Sequence, residues 1–353
     1  MLSSLALYNR VLVFLAGGVL LLAGFIIVFS LSAVVFRIRN HRRGLRWGAR
    51  EREWEPVLME ILYGDDPPER LLALVGKRDR LFFVQFLLRY MRRLAGEERH
   101  QVSVLAQPFL PALSEELKSR SAERRARAVQ TVGELGMPRY ASQIVEALDD
   151  PAALVAFTAA RALARREHPQ FAEAIVERLH RFANWRPSLL GAMLAGMGGE
   201  AAPALRSAYG DDRRSPQVRA IAGMALAHLH DARAAPIAAR IVTKETHREL
   251  AAASIRLLGR IGRPEDLPLI RRCLASSDEV VRGAAAAALG RIGAPVDLPT
   301  LHSAACEDGS RWVALAAARA VRDLGGIRQL RELAASTHER AALALQVLAE
   351  AGA

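Results

Sequence analysis

Aromatic residues make up only 6% of this 353-residue chain, cysteine occurs twice and lysine three times among 49 cations. Two cysteines, Cys273 and Cys306, exclude a disulfide framework and a four-cysteine zinc site, and read as two small buried side chains in a reducing compartment. Few aromatics leave little for base stacking. The chain also lacks HExxH, CxxC, a P-loop, GxSxG and a GxGxxG after a strand, so the usual signatures of metal, phosphate and nucleophile chemistry are missing. His228 and His230 form an HxH, but two positions along a helix point about 200° apart and cannot share a metal. The paired acids Asp65/Asp66, Asp149/Asp150 and Asp211/Asp212 fall in turns, where aspartate caps the next helix. What is abundant is alanine, with 25 glycines and 16 prolines spaced as punctuation, a composition of helices ended at regular intervals.

Charge is unevenly placed. The net excess of base is +12, and Arg37, Arg39, Arg42, Arg43, Arg46 and Arg50 supply half of it within one acid-free stretch. Residues 11–36 before that stretch form an uncharged apolar run of 26, long enough as a helix to cross the roughly 30 Å hydrocarbon layer. Only Arg10 precedes the run, so the positive-inside rule puts residues 1–10 outside and the rest of the chain in the cytoplasm, on a single-pass anchor. Arg37, Arg39, Arg42, Arg43 and Arg46 then face anionic lipid headgroups. Trp47 and Trp54 either touch the headgroups or pack in the protein. Within the span, Ala16, Ala23 and Ser30 recur every seven residues beside Gly17 and Gly24, a small-residue stripe against which another membrane helix can pack.

The remainder is repetitive. GELG ending at Gly136, GRIG at Gly262 and Gly293 and RDLG at Gly325, with weaker copies ending at 168, 198 and 230, are spaced 30 to 32 residues apart. In the best-preserved copy, 278–308, Asp278 is placed to cap a first helix and Gly293 to end it in the left-handed conformation. Pro295 then opens a second helix that carries Leu298, Leu301 and Ala305 on one face. Each unit is a helical hairpin, and small side chains let successive hairpins stack closely into one continuous core.

Asp278, Val281, Arg282, Ala285, Ala286, Ala288, Leu289, Gly290, Ile292 and Gly293 spell a signature that resembles the bacterial HEAT-like repeat family, of which the phycobilin-lyase-type HEAT repeats are a subset. A partial copy has Pro216, Val218, Arg219, Ala222 and Leu226, with His230 where the glycine belongs. The resemblance implies an all-α fold, an α/α superhelix of about seven hairpins over residues 119–353 that binds other macromolecules. It also implies that Arg282 and Arg219 tie adjacent repeats to an aspartate.

The predicted organisation is therefore a short outer N-terminus (1–10), a transmembrane helix (11–36), a basic juxtamembrane segment (37–56), a degenerate helical cap (57–118) and the array (119–353). Residues 80–94 suit a buried amphipathic helix, with 98–117 as its partner; 338–351 read as a lone closing helix. Aligned on the repeat-ending residues, Arg178, Arg240 and Arg272 share one second-helix position, with Arg271 and His302 beside it and Arg206 two places away. These form either a basic ladder for an acidic segment of a partner or a solvated face.

Three classes of function are open on the sequence. The first is a single-pass adaptor of the bacterial inner membrane, with its array in the cytoplasm, no cofactor and no small-molecule substrate. Its partner is a protein, expected to be an integral membrane protein such as a multi-pass envelope-polysaccharide glycosyltransferase or a transporter. The second is a HEAT-type lyase-like enzyme or chaperone, disfavoured by the anchor and the missing motifs. The third, nucleic-acid binding, is disfavoured by the modest charge of the array, where 33 basic residues face 27 acidic ones from residue 101 onward.

Overall fold

Alanine- and leucine-rich stretches, each led by a polar turn and closed by a tight one, fold into helices with the spacing the repeats predict. The computed structural model describes residues 22, 24, 25, 27–32, 34, 37 and 47–350, apart from 65, 77, 78, 137–139, 166–168, 183, 184, 245 and 246. Among the described residues there is no strand. The chain divides between Leu113 and Ser114 into two units.

The first unit contains a helix over 47–63, followed by Pro68–Ala73, Arg80–Met91 and Gly96–Ala106. Its core is rich in aromatic side chains. Trp54 meets Phe83 and Phe86 edge-on at 5.2 and 5.6 Å, and Phe83 meets Phe109 at 5.1 Å. At 1% exposure Trp54 is a core residue, which settles the choice between headgroup and packing for that side chain. Trp47 packs on Phe82 at 5.0 Å and lies under the Arg89 guanidinium. The helix over 47–63 runs across the expected boundary at 56/57, so basic segment and cap share one element.

Most of the predicted span 11–36 lies outside the described residues, as do residues 1–10. Those described between 22 and 37 are helical, and Leu22, Phe25, Ile27, Val28, Phe29, Leu31 and Val34 are each more than half exposed. Among the described residues no helix is long and apolar enough to cross a membrane.

The second unit is a run of hairpins. The first helices are Ala122–Leu135, Ala153–Leu163, Pro187–Ala195, Pro216–Leu229, Arg248–Ile261, Glu279–Ile292 and Arg311–Asp323, with Ala341–Glu350 closing the chain. The second helices are shorter: Ala141–Glu146, Ala172–Glu177, Ala202–Gly210, Ala235–Lys244, Leu267–Cys273, Leu298–Glu307 and Ile327–Ala335. Five of them are entered through a 3-10 turn, such as Pro264–Asp266 and Pro295–Asp297. First helices pack on one another between Ala122–Leu135 and Ala153–Leu163 and from Pro187–Ala195 through to Ala341–Glu350, and form the core layer, in which Ala285, Ala286, Ala317 and Ala318 are completely buried.

Glycines set how closely that layer packs. A Cβ on Gly133 would lie 2.5 Å from Ala162 Cβ, one on Gly259 2.6 Å from Ala288 Cβ, and one on Gly290 2.8 Å from Ala320 Cα. All three glycines stand three residues before the repeat-ending glycine, so one Gly–Ala lock recurs between neighbouring first helices.

The helix ends follow the sequence with one exception. Asp278 Oδ1 accepts the Val280 and Val281 N–H groups at 2.8 and 3.4 Å, as a capping residue should. Gly136 and Gly262 close their helices in the left-handed region at φ 65° and 78°. Gly293 does not: it has φ −70° and ψ 176°. Here Asp297 Oδ2 accepts the Ala294 N–H at 2.9 Å and pulls the chain out into an extended turn. Glycine is needed at 293 for space instead, because a Cβ there would sit 2.4 Å from the Leu289 carbonyl oxygen. His230, in the glycine position of its repeat, is forced to φ 53°. A left-handed non-glycine residue is strained, so His230→Gly is expected to raise unfolding stability by about 1 kcal/mol after the extra freedom of the unfolded glycine is deducted. Urea denaturation checks this; unchanged or lower stability would contradict the strain.

Candidate interaction surface

Arginine placed in a stack of helices needs an acid within reach, because a guanidinium withdrawn from water without one is costly. The array meets this need in a repeating way. Arg125 holds Asp150 through Nε and Nη2 at 2.7 and 2.8 Å, and its Nη1 donates to the Ser119 carbonyl. Five repeats later Arg282 holds Asp308 with the same atoms at 2.8 and 2.9 Å, and its Nη1 donates to the Ser276 carbonyl. Asp150 and Asp308 each also accept a backbone N–H two residues ahead, from Ala152 and Ser310, at 2.8 Å. Each aspartate thus closes the turn into the next repeat while it neutralises the arginine before it. The guanidinium hydrogen bonds hold both carboxyls below the usual carboxylate range. Arg219 reaches backward: it pairs with Asp212 at 2.7 Å and donates to the Tyr209 carbonyl, both at the end of the preceding repeat.

Most of the second-helix ladder is engaged in the same way. Arg178 grips Asp149 at 2.7 to 2.9 Å, Arg206 pairs with Asp231 at 2.7 Å and Arg271 with Asp297 at 2.6 Å. Arg240 donates to the Gly210 carbonyl at 3.2 Å. These contacts join consecutive second helices, so four of the six positions clamp repeats together. His302 lies beside Cys306, at 3.9 Å from Nδ1 to Sγ. Arg272 is exposed and lines a cavity of about 560 Å³ with Arg248 and Cys273. Cys273 and Cys306 are half-buried, and burial pushes both thiols up, away from the reactive thiolate. Arg271→Glu, which sets two carboxylates against each other, is expected to lower the melting temperature by several degrees. Arg272→Glu should leave it unchanged; equal effects in thermal denaturation would refute the clamp.

Of the positions assigned to membrane packing and headgroups, Ala16, Gly17, Ala23, Arg39, Arg42, Arg43 and Arg46 lie outside the described residues. Gly24, Ser30 and Arg37 are helical and exposed, and a Cβ on Gly24 would meet nothing within 4 Å. Among the described residues no three His, Cys, Asp or Glu side chains cluster as a metal site would require.

A basic feature on the first helices was not found from the sequence. Arg256, Arg291, Arg319 and Arg322 line a cavity of about 280 Å³ bordered by helices Arg248–Ile261, Glu279–Ile292 and Arg311–Asp323. Arg319 is held by Glu350 through two bonds of 2.9 and 2.7 Å, which drive the Glu350 carboxyl down to about 2, and Arg322 is held by Asp323. Arg256 and Arg291 have no ion pair or hydrogen bond among the described residues. Burial and the neighbouring Arg291 charge push the Arg256 guanidinium down. Trp312, on the helix of Arg319 and Arg322, also lines the cavity; it is 67% exposed and lies over Gly283. The periodicity held a signal: Arg256 and Arg319 each stand six residues before a repeat-ending glycine, and Arg260 and Arg291 two before. Aligning the first helices as well as the second would have shown it.

Residues 110–186 and 240–322 match the family of HEAT repeats. The hairpins continue without a break between the two matched segments. Among solved structures, the chain is similar to a mutant of Kap121p at 15% identity and a TM-score of 0.53, over 78% of this chain and 35% of that one. A second Kap121p mutant gives 15%, 0.51, 77% and 37%. The chain thus spans little more than a third of Kap121p. It is also similar to the complex of CpcE and CpcF of phycocyanin lyase from Nostoc sp. PCC7120, at 20% identity over 68% of this chain and 87% of that one, with a TM-score of 0.36. No curated protein matches the chain. The second unit is accordingly an all-helical solenoid of HEAT-like repeats.

Proposed function

We propose that this HEAT-like repeat protein is a non-enzymatic scaffold, anchored in a bacterial inner membrane through residues 11–36, whose cytoplasmic array holds a protein partner of the same membrane. The observation that carries the anchor is the uncharged run of 26 residues followed by six arginines. Its support is the row of large apolar side chains between Leu22 and Val34, each more than half exposed, a pattern suited to lipid and poorly suited to water. The adaptor role draws on the solenoid itself, which offers an extended surface built from repeated short elements. Karyopherin Kap121p, whose fold the array shares, binds the extreme C-terminus of the protein phosphatase Cdc14p; a peptide-holding surface is the corresponding expectation here.

The test has two arms. Membranes washed with alkaline carbonate are expected to retain the full chain, and protease added to intact spheroplasts is expected to spare the array. Release by carbonate, or digestion of the array from outside, refutes the anchor or its orientation. Purification in mild detergent is then expected to recover a membrane protein with the wild-type chain. A chimera carrying an unrelated span in place of 11–36 tells whether the membrane helix or the array recognises it.

A further inference from the structure

The array supplies an acid for nearly every arginine it withdraws from water: Asp150 for Arg125, Asp149 for Arg178, Asp231 for Arg206, Asp297 for Arg271 and Asp308 for Arg282. Arg256 breaks that rule. It is half-buried on the Arg248–Ile261 helix and has no ion pair or hydrogen bond among the described residues; the acid that lines the same cavity, Asp323, is paired with Arg322, and the like charge of Arg291 acts on Arg256. Two guanidiniums that line one cavity, neither with an acid of its own, form a site short of one anion. Trp312 lines the same cavity and presents its indole to solvent over Gly283. A large exposed aromatic next to unpaired arginines is the composition of interface anchors and is unusual on an idle surface.

We propose that the cavity lined by Arg256, Arg291 and Trp312 binds an acidic segment of a partner protein, with one Asp or Glu carboxylate bridging the two guanidiniums and the adjoining residue packed on the indole. The size fits: about 280 Å³ takes one or two side chains and falls below the clefts that bury cofactor-sized ligands. The charges around it select the occupant. Arg319 and Arg322, on the Trp312 helix, are already paired with Glu350 and Asp323, so the unpaired positive charge in the cavity is that of Arg256 and Arg291. A nucleic-acid backbone or a sheet of anionic lipid would bring several phosphates against Asp323 and Glu350, whereas a single peptide carboxylate needs only the two unpaired guanidiniums of Arg256 and Arg291. This surface rests on the scaffold reading above and names where and how the array grips its partner.

The full chain in detergent micelles is titrated into a short fluorescein-labelled peptide of alternating glutamate and serine, read by fluorescence anisotropy. Arg291→Gln, at an exposed position, is expected to weaken binding about tenfold, and Trp312→Ala about fivefold. The pair Arg256→Gln and Arg291→Gln should abolish binding, Arg272→Gln should not change it, and a peptide with glutamine for glutamate should not bind. If Arg291→Gln and Trp312→Ala bind like wild type at unchanged melting temperature, the site is refuted. It is equally refuted if the wild type ignores the peptide, or if the same variants instead lose binding to phosphatidylglycerol vesicles or single-stranded RNA. Failure here is separable from failure of the scaffold reading. A variant lacking both arginines that keeps every protein the wild type recovers overturns this surface alone, whereas a wild type that recovers none overturns the scaffold.

Discussion

Gly259→Leu is expected to open the middle of the array, at a cost of about 4 kcal/mol or more. The first helices Arg248–Ile261 and Glu279–Ile292 touch through Gly259 and Ala288, and even a single added carbon would stand 2.6 Å from Ala288 Cβ and 2.9 Å from its Cα. Neither atom is at the end of a flexible side chain, so the two helices themselves have to separate. Contacts in a repeat stack run only between neighbours, so breaking one interface uncouples the hairpins before it from those after it. Thermal unfolding followed by circular dichroism should therefore change from one transition to two. Gly259→Ala is the sharper test: alanine favours the helix by about 1 kcal/mol, yet the overlap should make the net effect destabilising. Adding Ala288→Gly removes the Cβ–Cβ overlap and is expected to recover much of the loss. A single, unshifted transition in Gly259→Leu would mean that this contact does not limit the spacing of the layer.

Asp308→Ala is expected to cost about 3 kcal/mol, the second largest effect. The carboxylate is 10% exposed; it accepts two bonds from Arg282 and one from the Ser310 N–H, so its removal strands a guanidinium and uncaps a turn together. Asp308→Asn keeps the turn bond and loses the charge, and should fall between. The same contact sets an acid limit. Asp149, Asp150, Asp297 and Asp308 all titrate below the ordinary carboxylate range because arginine hydrogen bonds favour their charged forms. A lowered folded-state pKa contributes stability that is complete above about pH 4 and disappears as pH falls through the lower folded values. Melting temperature should accordingly be flat from neutral pH to about 5 and drop steeply below 4, by less in Asp308→Ala, which has already lost one such group. An equally steep acid limb in the variant would show that Asp308 carries none of it.

The repeats themselves were legible because a hairpin of fixed length must return its apolar positions and its turn residues at a fixed interval. Asp278, Pro295, Gly136 and Gly262 do what their residue types predict, since capping, ring closure and the left-handed conformation are properties of one residue and its nearest neighbours. Gly293 shows where such reasoning stops. Its place in the pattern matches that of Gly262, and a side chain four positions later, Asp297, gives it another conformation.

The roles of the arginines were far less legible. Arg178, Arg206 and Arg271 lie on an apparent binding ladder when only their own register is compared, and the acid that occupies each one sits 25 to 29 residues away in the neighbouring repeat. Arg256 and Arg291 belong to different repeats and show no charge cluster along the chain, yet stacking brings them to one cavity. By itself the sequence determined the helical hairpin, its period, the caps and the apolar run near the N-terminus, all consequences of local geometry and of solvent preference. Only the tertiary structure decided which arginines are spent holding repeats together and which remain unpaired, because the strength of a charge pair depends on distance across the stack.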